Sequence, residues 1–298
     1  MHFSFWPAPA QDFKTVVDLG RHAEATGWDG IWFADHFMPN APDTSVPWPE
    51  CWTTISAVAT QVPRLRLGTL VIGNTYRHPA VLAKMAATLD HISGGRVVLG
   101  LGAGWQENEH EQYGIPFFTL KERLERLDEA CEVITTLFRE EKSNYAGRHY
   151  TLTDASLEPK PVQAPLPLLV GGGGEKVTMR IAAQWANEWN VWGTPETLAH
   201  KVGVLRQHCA DLGRDPNEIR KSAQALLFMS DDEAMLESLR ERPSPMARIL
   251  GTPSQLRDIV AQYEEAGVDE LIVPDFTLGQ GDAKLRAMDR FITEVAGR

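Results

Sequence analysis

The stretch LRLGTLVIGNTYRHPAVLAKMAATLDHISGGRVVLGLGAGW, Leu65 to Trp105, decides the fold. It opens on the apolar run LRLGTLVI (65–72), crosses a polar turn and enters an amphipathic helical pattern from His78 to His91. It then returns to a second apolar run, RVVLGLG (96–102). Two strand-length apolar runs joined through a helix are parallel neighbours, because an antiparallel pair needs only a hairpin. Both runs are apolar at consecutive rather than alternate positions, as strands covered on both faces are.

The same alternation continues in both directions. Upstream lie HFSFW (2–6) with a helix over 12–26, and GIWFADH (30–36) with a helix over 50–61. Downstream, a helix over 120–139 closes the fourth unit. PLLVGG (167–172), EWNVW (188–192), KSAQALLFM (221–229) and ELIVPDF (270–276) open the fifth to the eighth, with helices over 175–186, 195–210, from 252, and over 282–295. Thr194-Pro195 and Thr252-Pro253 read as N-caps followed by proline at the first helical position, and Gly27, Gly213 and Gly267 stand where helices should stop. Eight strand–helix units with buried strands predict an α/β fold, a parallel (β/α)8 TIM barrel in one domain over residues 1–298. A doubly wound open sheet is the alternative, but it has fewer strands and a switch point.

Two connections exceed ordinary loop length. Residues 37–49, FMPNAPDTSVPWP, leave strand two on the face where barrels keep their chemistry, and are read as a lid. Residues 140–166 enter strand five and are read as a structural cover holding a hairpin near HYTLTDASLEPKP (149–161).

The 298-residue chain is 43% hydrophobic and 23% charged, which suits a large globular core. Its formal net charge of −11 argues against phosphate-backbone binding. No apolar run reaches a membrane span. The opening MHFSFWPAPA lacks the basic and apolar regions of a signal peptide, and Cys51, Cys131 and Cys209 form no paired or metal-type framework. A reduced cytoplasmic setting fits this pattern.

In a barrel the strand exits ring the active site. Here they present Trp6, Asp35-His36, Thr69 to Asn74, Gly102 to Glu107, Gly171 to Gly174, Asn190 to Gly193 and Asp275-Phe276, with the exit of the seventh strand ambiguous. There is no metal-ligand cluster and no nucleophile elbow. A ring of glycine, aromatic and amide groups suits a flat, partly anionic ligand that brings its own chemistry. Gly172, Gly173 and Gly174 precede a helix with Lys176 and Arg180 on its first turns, so bare amides and a positive helix end make a phosphate seat. The motif is not a Walker sequence, since Glu175 and Val177 stand at required positions. His36 is the candidate acid–base group, because histidine changes charge near neutrality. In WQENEHEQYG, Glu107 is the nearest acid–base partner, while helical spacing assigns Glu109 and Glu111 to a solvated face. Trp6, Trp105 and Trp192 stand where a substrate would stack.

GIWFADHF, the central stretch quoted above and LLVGGGGEKVTMRIAAQWANEWN together resemble the bacterial luciferase-like superfamily, in wording closest to its branch of oxidoreductases that use the deazaflavin coenzyme F420. The resemblance covers nearly the whole chain. It implies a cofactor across the barrel mouth with its phosphate at Gly172–Gly174, Lys176 and Val177. It also implies His36 near the reactive ring, cofactor contacts from Asp35, Ile72, Leu101, Gly102 and Gln106, and a non-proline cis peptide at Thr69–Leu70. One departure is Ala103, which stands where the family's sugar-phosphate dehydrogenases carry glutamate, and their phosphate-binding lysines have no clear match. The expected activity is hydride transfer between F420 and a small apolar or ring-bearing substrate. The alternatives are an FMN-dependent monooxygenase supplied by a partner reductase and a non-catalytic ligand-binding barrel. The expected assembly is a homodimer without nucleic acid or membrane partners.

Overall fold

A computed structural model describes residues Met1–Arg298. The barrel strands are β1 (His2–Trp6), β2 (Gly30–Phe33), β3 (Arg66–Thr69, resuming at Ile72–Gly73), β4 (Val97–Gly102), β5 (Leu168–Gly171), β6 (Glu188–Trp192), β7 (Arg220–Gln224) and β8 (Glu270–Pro274). All are parallel, each pairs with its neighbours in chain order, and β8 returns to β1 with Trp6 opposite Pro274. The closed eight-stranded barrel is the expected TIM fold.

The helices are α1 (Phe13–Thr26), α2 (Cys51–Gln61), α3 (Pro79–Ser93), α4 (Glu107–Tyr113), α5 (Leu120–Arg139), α6 (Thr178–Trp185), α7 (Pro195–Leu212), α8 (Glu233–Glu241), α9 (Pro253–Glu265) and α10 (Asp282–Arg290), the last continued by a π-turn over Phe291–Val295. Their ends follow local chemistry. Thr119 and Thr252 each form a reciprocal capping box, and Gly213 closes α7 in the left-handed conformation that L side chains disfavour. No helix is long and apolar enough to cross a membrane. All three cysteines are buried and free.

Three sequence expectations shift. The apolar run KSAQALLFM is not one strand: β7 ends at Gln224, and Leu226–Met229 leaves the barrel to pair with Arg248–Gly251. The hairpin of the long fifth connection lies earlier than expected, pairing Ser143–Ala146 with Thr151–Ala155. Glu129 accepts the amides of Arg148, His149 and Tyr150, so the segment is a cover sewn onto α5. The cis peptide stands at Leu70–Val71, one residue beyond the position implied.

Packing divides the molecule unequally. The layer between helices and barrel holds a cluster of 64 buried apolar residues, whereas the barrel interior holds only six. Most of the apolar core therefore lies between the strands and the helices, and the interior is free to be polar at both ends. At the floor, Arg66 pairs with Glu188 and, at 2.9 Å, with Glu270; Arg220 reaches Glu270 at 3.2 Å. Ser4 Oγ and Trp32 Nε1 donate to the same Glu270 carboxylate at 2.6 and 2.9 Å. The other end opens into a cavity.

Candidate active site

The mouth cavity has a volume of about 890 Å³ and is enclosed by strand exits, with Trp6, His36, Leu70, Val71, Trp105 and Trp192 among its walls. On one side Gly171 to Thr178 form a single concave turn. The turn is tethered from behind. Gly172 N–H donates to the Asn190 carbonyl at 2.9 Å, Trp189 Nε1 donates to the Gly172 carbonyl at 2.9 Å, and Lys201 Nζ donates to the Gly173 carbonyl at 2.8 Å. The amides of Gly173 to Val177 then have no acceptor within the protein, and no side chain caps α6. A Cβ on Gly173 would stand 2.9 Å from Val191 Cγ2, and Gly172 holds φ at +127°, so side chains are excluded here by space and by conformation. Unpaired amides beside a helix N-terminus and Lys176 make an anion cradle. Helix α6 starts at Thr178 rather than near Glu175, so the cradle is built from loop amides more than from the helix itself. Glu175, which would repel an anion, is turned aside by Lys201 at 2.7 Å and His200 at 3.0 Å.

Across the cavity, His36 Nδ1 lies 2.9 Å from Glu109 Oε1. Tyr76 Oη donates to the same oxygen, and the Phe37 amide donates to Oε2 at 2.8 Å. Glu109 is fully buried. Burial raises its pKa, but the hydrogen bonds from His36, Tyr76 and Phe37 outweigh burial and hold the carboxyl below its usual range. Burial, then the adjacent Glu109 carboxylate, pushes the Tyr76 phenol far up, so it stays a donor. An ionised Glu109 requires the proton on Nδ1 of His36. Nε2 is left free, on a ring packed edge-on to Trp105 at 5.4 Å. The geometry is that of a base held in one tautomer by a buried acid.

Asp35 lies beside this pair but is spoken for. Arg77 clasps it at 2.7 and 3.1 Å and reaches Glu50 at 2.7 Å. Burial raises the Asp35 pKa against the pull of Arg77.

The structure brings together at the cavity Asp35, His36, Leu70, Ile72, Gly102, Gly172, Gly173, Gly174, Lys176, Val177, Trp6, Trp105 and Trp192. Others fall elsewhere. Glu107 is exposed on the first turn of α4, and it is Glu109, assigned above to a solvated face, that reaches His36. Gln106 is buried with Nε2 on the Met38 carbonyl at 2.9 Å, so it staples the loop after β2 instead of facing the cavity. Leu101 points into the outer core, and Thr69 Oγ1 is engaged by the Gly100 backbone at 2.9 Å. Arg180 is exposed away from the cavity. No residue of 37–49 lines the cavity. That segment lies along α4 through Gln106, Asn108 and Phe37, so the expected lid is docked aside. Gly102 is bare for a reason other than ligand contact: Cβ atoms on Gly102 and Gly171 would meet the Val71 side chain at 2.7 and 2.8 Å. Val71, seated over both glycines, presents the surface to the cavity.

The family described as luciferase-like monooxygenase matches residues 1–247. The chain belongs to this luciferase-like family. An F420-dependent glucose-6-phosphate dehydrogenase of Kineococcus radiotolerans is 37% identical over 249 residues, 79% of this chain and 71% of that one. The namesake of Amycolatopsis mediterranei is 36% identical over 176 residues, 58% of this chain and 52% of that one, so the chain matches only about half the length of some relatives. Among solved structures, an F420-dependent secondary alcohol dehydrogenase in complex with an F420–acetone adduct superposes with a TM-score of 0.84 at 19% identity, covering 99% and 98% of the two chains. A long-chain alkane monooxygenase superposes with a TM-score of 0.81 at 18% identity, covering 100% and 90%. At such identities the superpositions establish the luciferase-like fold, within which both kinds of enzyme occur.

Proposed function

We propose that this luciferase-like chain is an oxidoreductase that transfers hydride between F420 and a small organic substrate. One observation carries the reading: a single cavity joins an anion cradle at Gly172–Val177 to a histidine whose tautomer is set by a buried carboxylate. The residues fit a phosphate-bearing planar coenzyme. Gly173 to Val177 offer unpaired amides, Lys176 offers charge, and Leu70, Val71 and Ile72 offer an apolar bed. The dehydrogenase relatives support F420 as that coenzyme. When bound, F420 supplies a ring carbon that accepts or releases a hydride.

The chain's own residues manage the proton. As an alcohol becomes a carbonyl, its carbon loses hydride and its oxygen loses a proton, which His36 takes up at Nε2. Glu109 stabilises the imidazolium, and Tyr76 and the Phe37 amide keep Glu109 in place. In reverse, His36 returns the proton to the carbonyl oxygen. Trp6, Trp105 and Trp192 keep water from the reacting carbon.

Titrating the purified protein with F420 and with FMN, each followed by its own fluorescence, tests the reading. F420 should bind and lose affinity in Gly173→Val. Tight FMN binding with negligible F420 binding would overturn the assignment in favour of a flavin monooxygenase. Binding of F420 without turnover on any alcohol or carbonyl tried would favour a non-catalytic barrel.

A further inference from the structure

Two polar atoms on the cavity wall have no partner. Trp6 Nε1 and Gln224 Oε1 are inaccessible to solvent and make no hydrogen bond. Trp6 is 9% exposed and Gln224 5%, and both line the mouth cavity. They belong to one wall: Gln224 pairs in register with Trp192, and the Trp6 and Trp192 rings lie 6.0 Å apart. Phe276 closes the group, edge-on to Trp6 at 5.1 Å. Burying a polar group without a partner is costly, so a donor and an acceptor left unpaired in one apolar cavity wall point to a partner that arrives with the ligand.

The charge around the wall narrows the ligand. Of the charged cavity residues, Asp35 is held by Arg77 and Glu175 by Lys201, while Lys176 belongs to the anion cradle. The arginines of the neighbouring groove do not line this cavity: Arg240 pairs with Glu237 at 2.9 Å, and Arg248 donates to the Leu239 carbonyl at 2.9 Å. Lys176 is the only lysine or arginine lining the mouth cavity, so the wall at Trp6 and Gln224 holds no cation of its own to neutralise a phosphate or carboxylate.

We infer that Trp6 and Gln224 form a substrate-recognition point for an uncharged hydrogen-bonding group, a hydroxyl, carbonyl or carboxamide, carried on an apolar ring or chain. The inference rests on reading the cavity as the oxidoreductase site and narrows its substrate to neutral molecules. The ligand turns both side chains, which already line the cavity, so that the indole N–H donates to the group's oxygen and Gln224 Oε1 accepts from its O–H or N–H, while the tryptophan faces cover the apolar body. His36 remains the proton-handling group.

Cyclohexanecarboxamide and cyclohexanecarboxylate, matched in shape and different in charge, are the probes. Tryptophan fluorescence and thermal shift are recorded on wild type, Trp6→Phe and Gln224→Leu, with and without F420. Carboxamide should bind wild type at millimolar concentrations and at least tenfold more tightly than carboxylate. Trp6→Phe, which keeps an aromatic ring, and Gln224→Leu should each weaken carboxamide about tenfold, the value of one hydrogen bond of about 1.4 kcal/mol. With a turnover substrate in hand, both should raise KM by a larger factor than they lower kcat. Equal binding of the two probes, unchanged carboxamide affinity in both variants, or no carboxamide binding to wild type overturns the inference. F420 affinity, read from the coenzyme's own fluorescence, separates this failure from failure of the proposed function: intact F420 binding with indifferent Trp6 and Gln224 variants sinks only the recognition point.

Discussion

The two ends of the barrel use the same ingredients for opposite purposes. At the floor, Glu188 and Glu270 meet Arg66 and Arg220, and Glu270 is further satisfied by Ser4 and Trp32. Charges there are paired against one another, with Glu188 Oε2 and Arg220 Nε left over, and no part of the cluster lines the mouth cavity. At the mouth, Glu109 is equally buried, but its partners are a histidine, a tyrosine and an amide, and the histidine keeps one nitrogen free toward an open cavity. A buried carboxylate therefore says little by itself. What marks the working end is a chain of hydrogen bonds whose last member faces an open cavity, as at His36 and the amides after Gly172.

The strongest challenge to this contrast is His36→Ala. If the mouth handles protons, turnover should fall by about 10²–10⁴, the usual contribution of general acid–base catalysis, with F420 affinity nearly unchanged. Glu109→Gln should lie between wild type and His36→Ala, because the amide can hold the ring but cannot stabilise its charge. Steady-state rates and coenzyme titration check both. A His36→Ala protein that loses coenzyme binding as completely as turnover would make His36 a binding residue and leave the mouth without a base.

Much of this architecture is legible in the sequence because periodicity reports burial. Eight apolar runs separated by helical patterns became eight barrel strands, and the four glycines became the tethered turn. The parts that escaped depend on contacts distant in sequence. In WQENEHEQYG nothing local distinguishes Glu109 from Glu107 or Glu111. Its role comes from Tyr76 and His36, 33 and 73 residues away. Gln224 offered a weak signal, a lone amide inside AQALLFM, but the run's uniform apolarity hid the point where the strand leaves the barrel. The bareness of Gly102 pointed to a ligand where the true neighbour is Val71, since a missing side chain does not say what fills its place.

The floor predicts loss of stability without loss of chemistry. Arg66→Met leaves Glu188 without an ion-pair partner and Glu270 with Arg220 alone, and removal of one partner from a buried ion cluster costs about 3–5 kcal/mol. Arg66 is 23% exposed, which argues for the lower figure, about 3 kcal/mol, and a fall in Tm of roughly 5–10 °C for a chain of this size. Thermal unfolding and kcat measured well below Tm should separate the two quantities. A large fall in kcat at full folding would mean that the floor communicates with the mouth, and the division of labour would fail.

The finest test is the sign of a pH dependence. Hydrogen bonds hold Glu109 below its usual 4.5 despite burial, so ionised Glu109 stabilises the folded chain above pH 4.5, and that contribution disappears as pH falls through its folded value. Burial raises Glu188 above 4.5 despite Arg66, so its ionised form burdens the folded state, and protonation relieves the burden as pH falls from the raised value toward 4.5. The Tm advantage of wild type over Glu109→Gln should therefore shrink below pH 4.5. Measured against Glu188→Gln, wild type should instead gain as pH falls toward 4.5. A pair of melting series between pH 7 and pH 4 reads the two directions. Were both differences to move in the same direction, the two carboxylates would share one electrostatic environment, and the contrast between a plug that absorbs charge and a mouth that uses it would lose its physical basis.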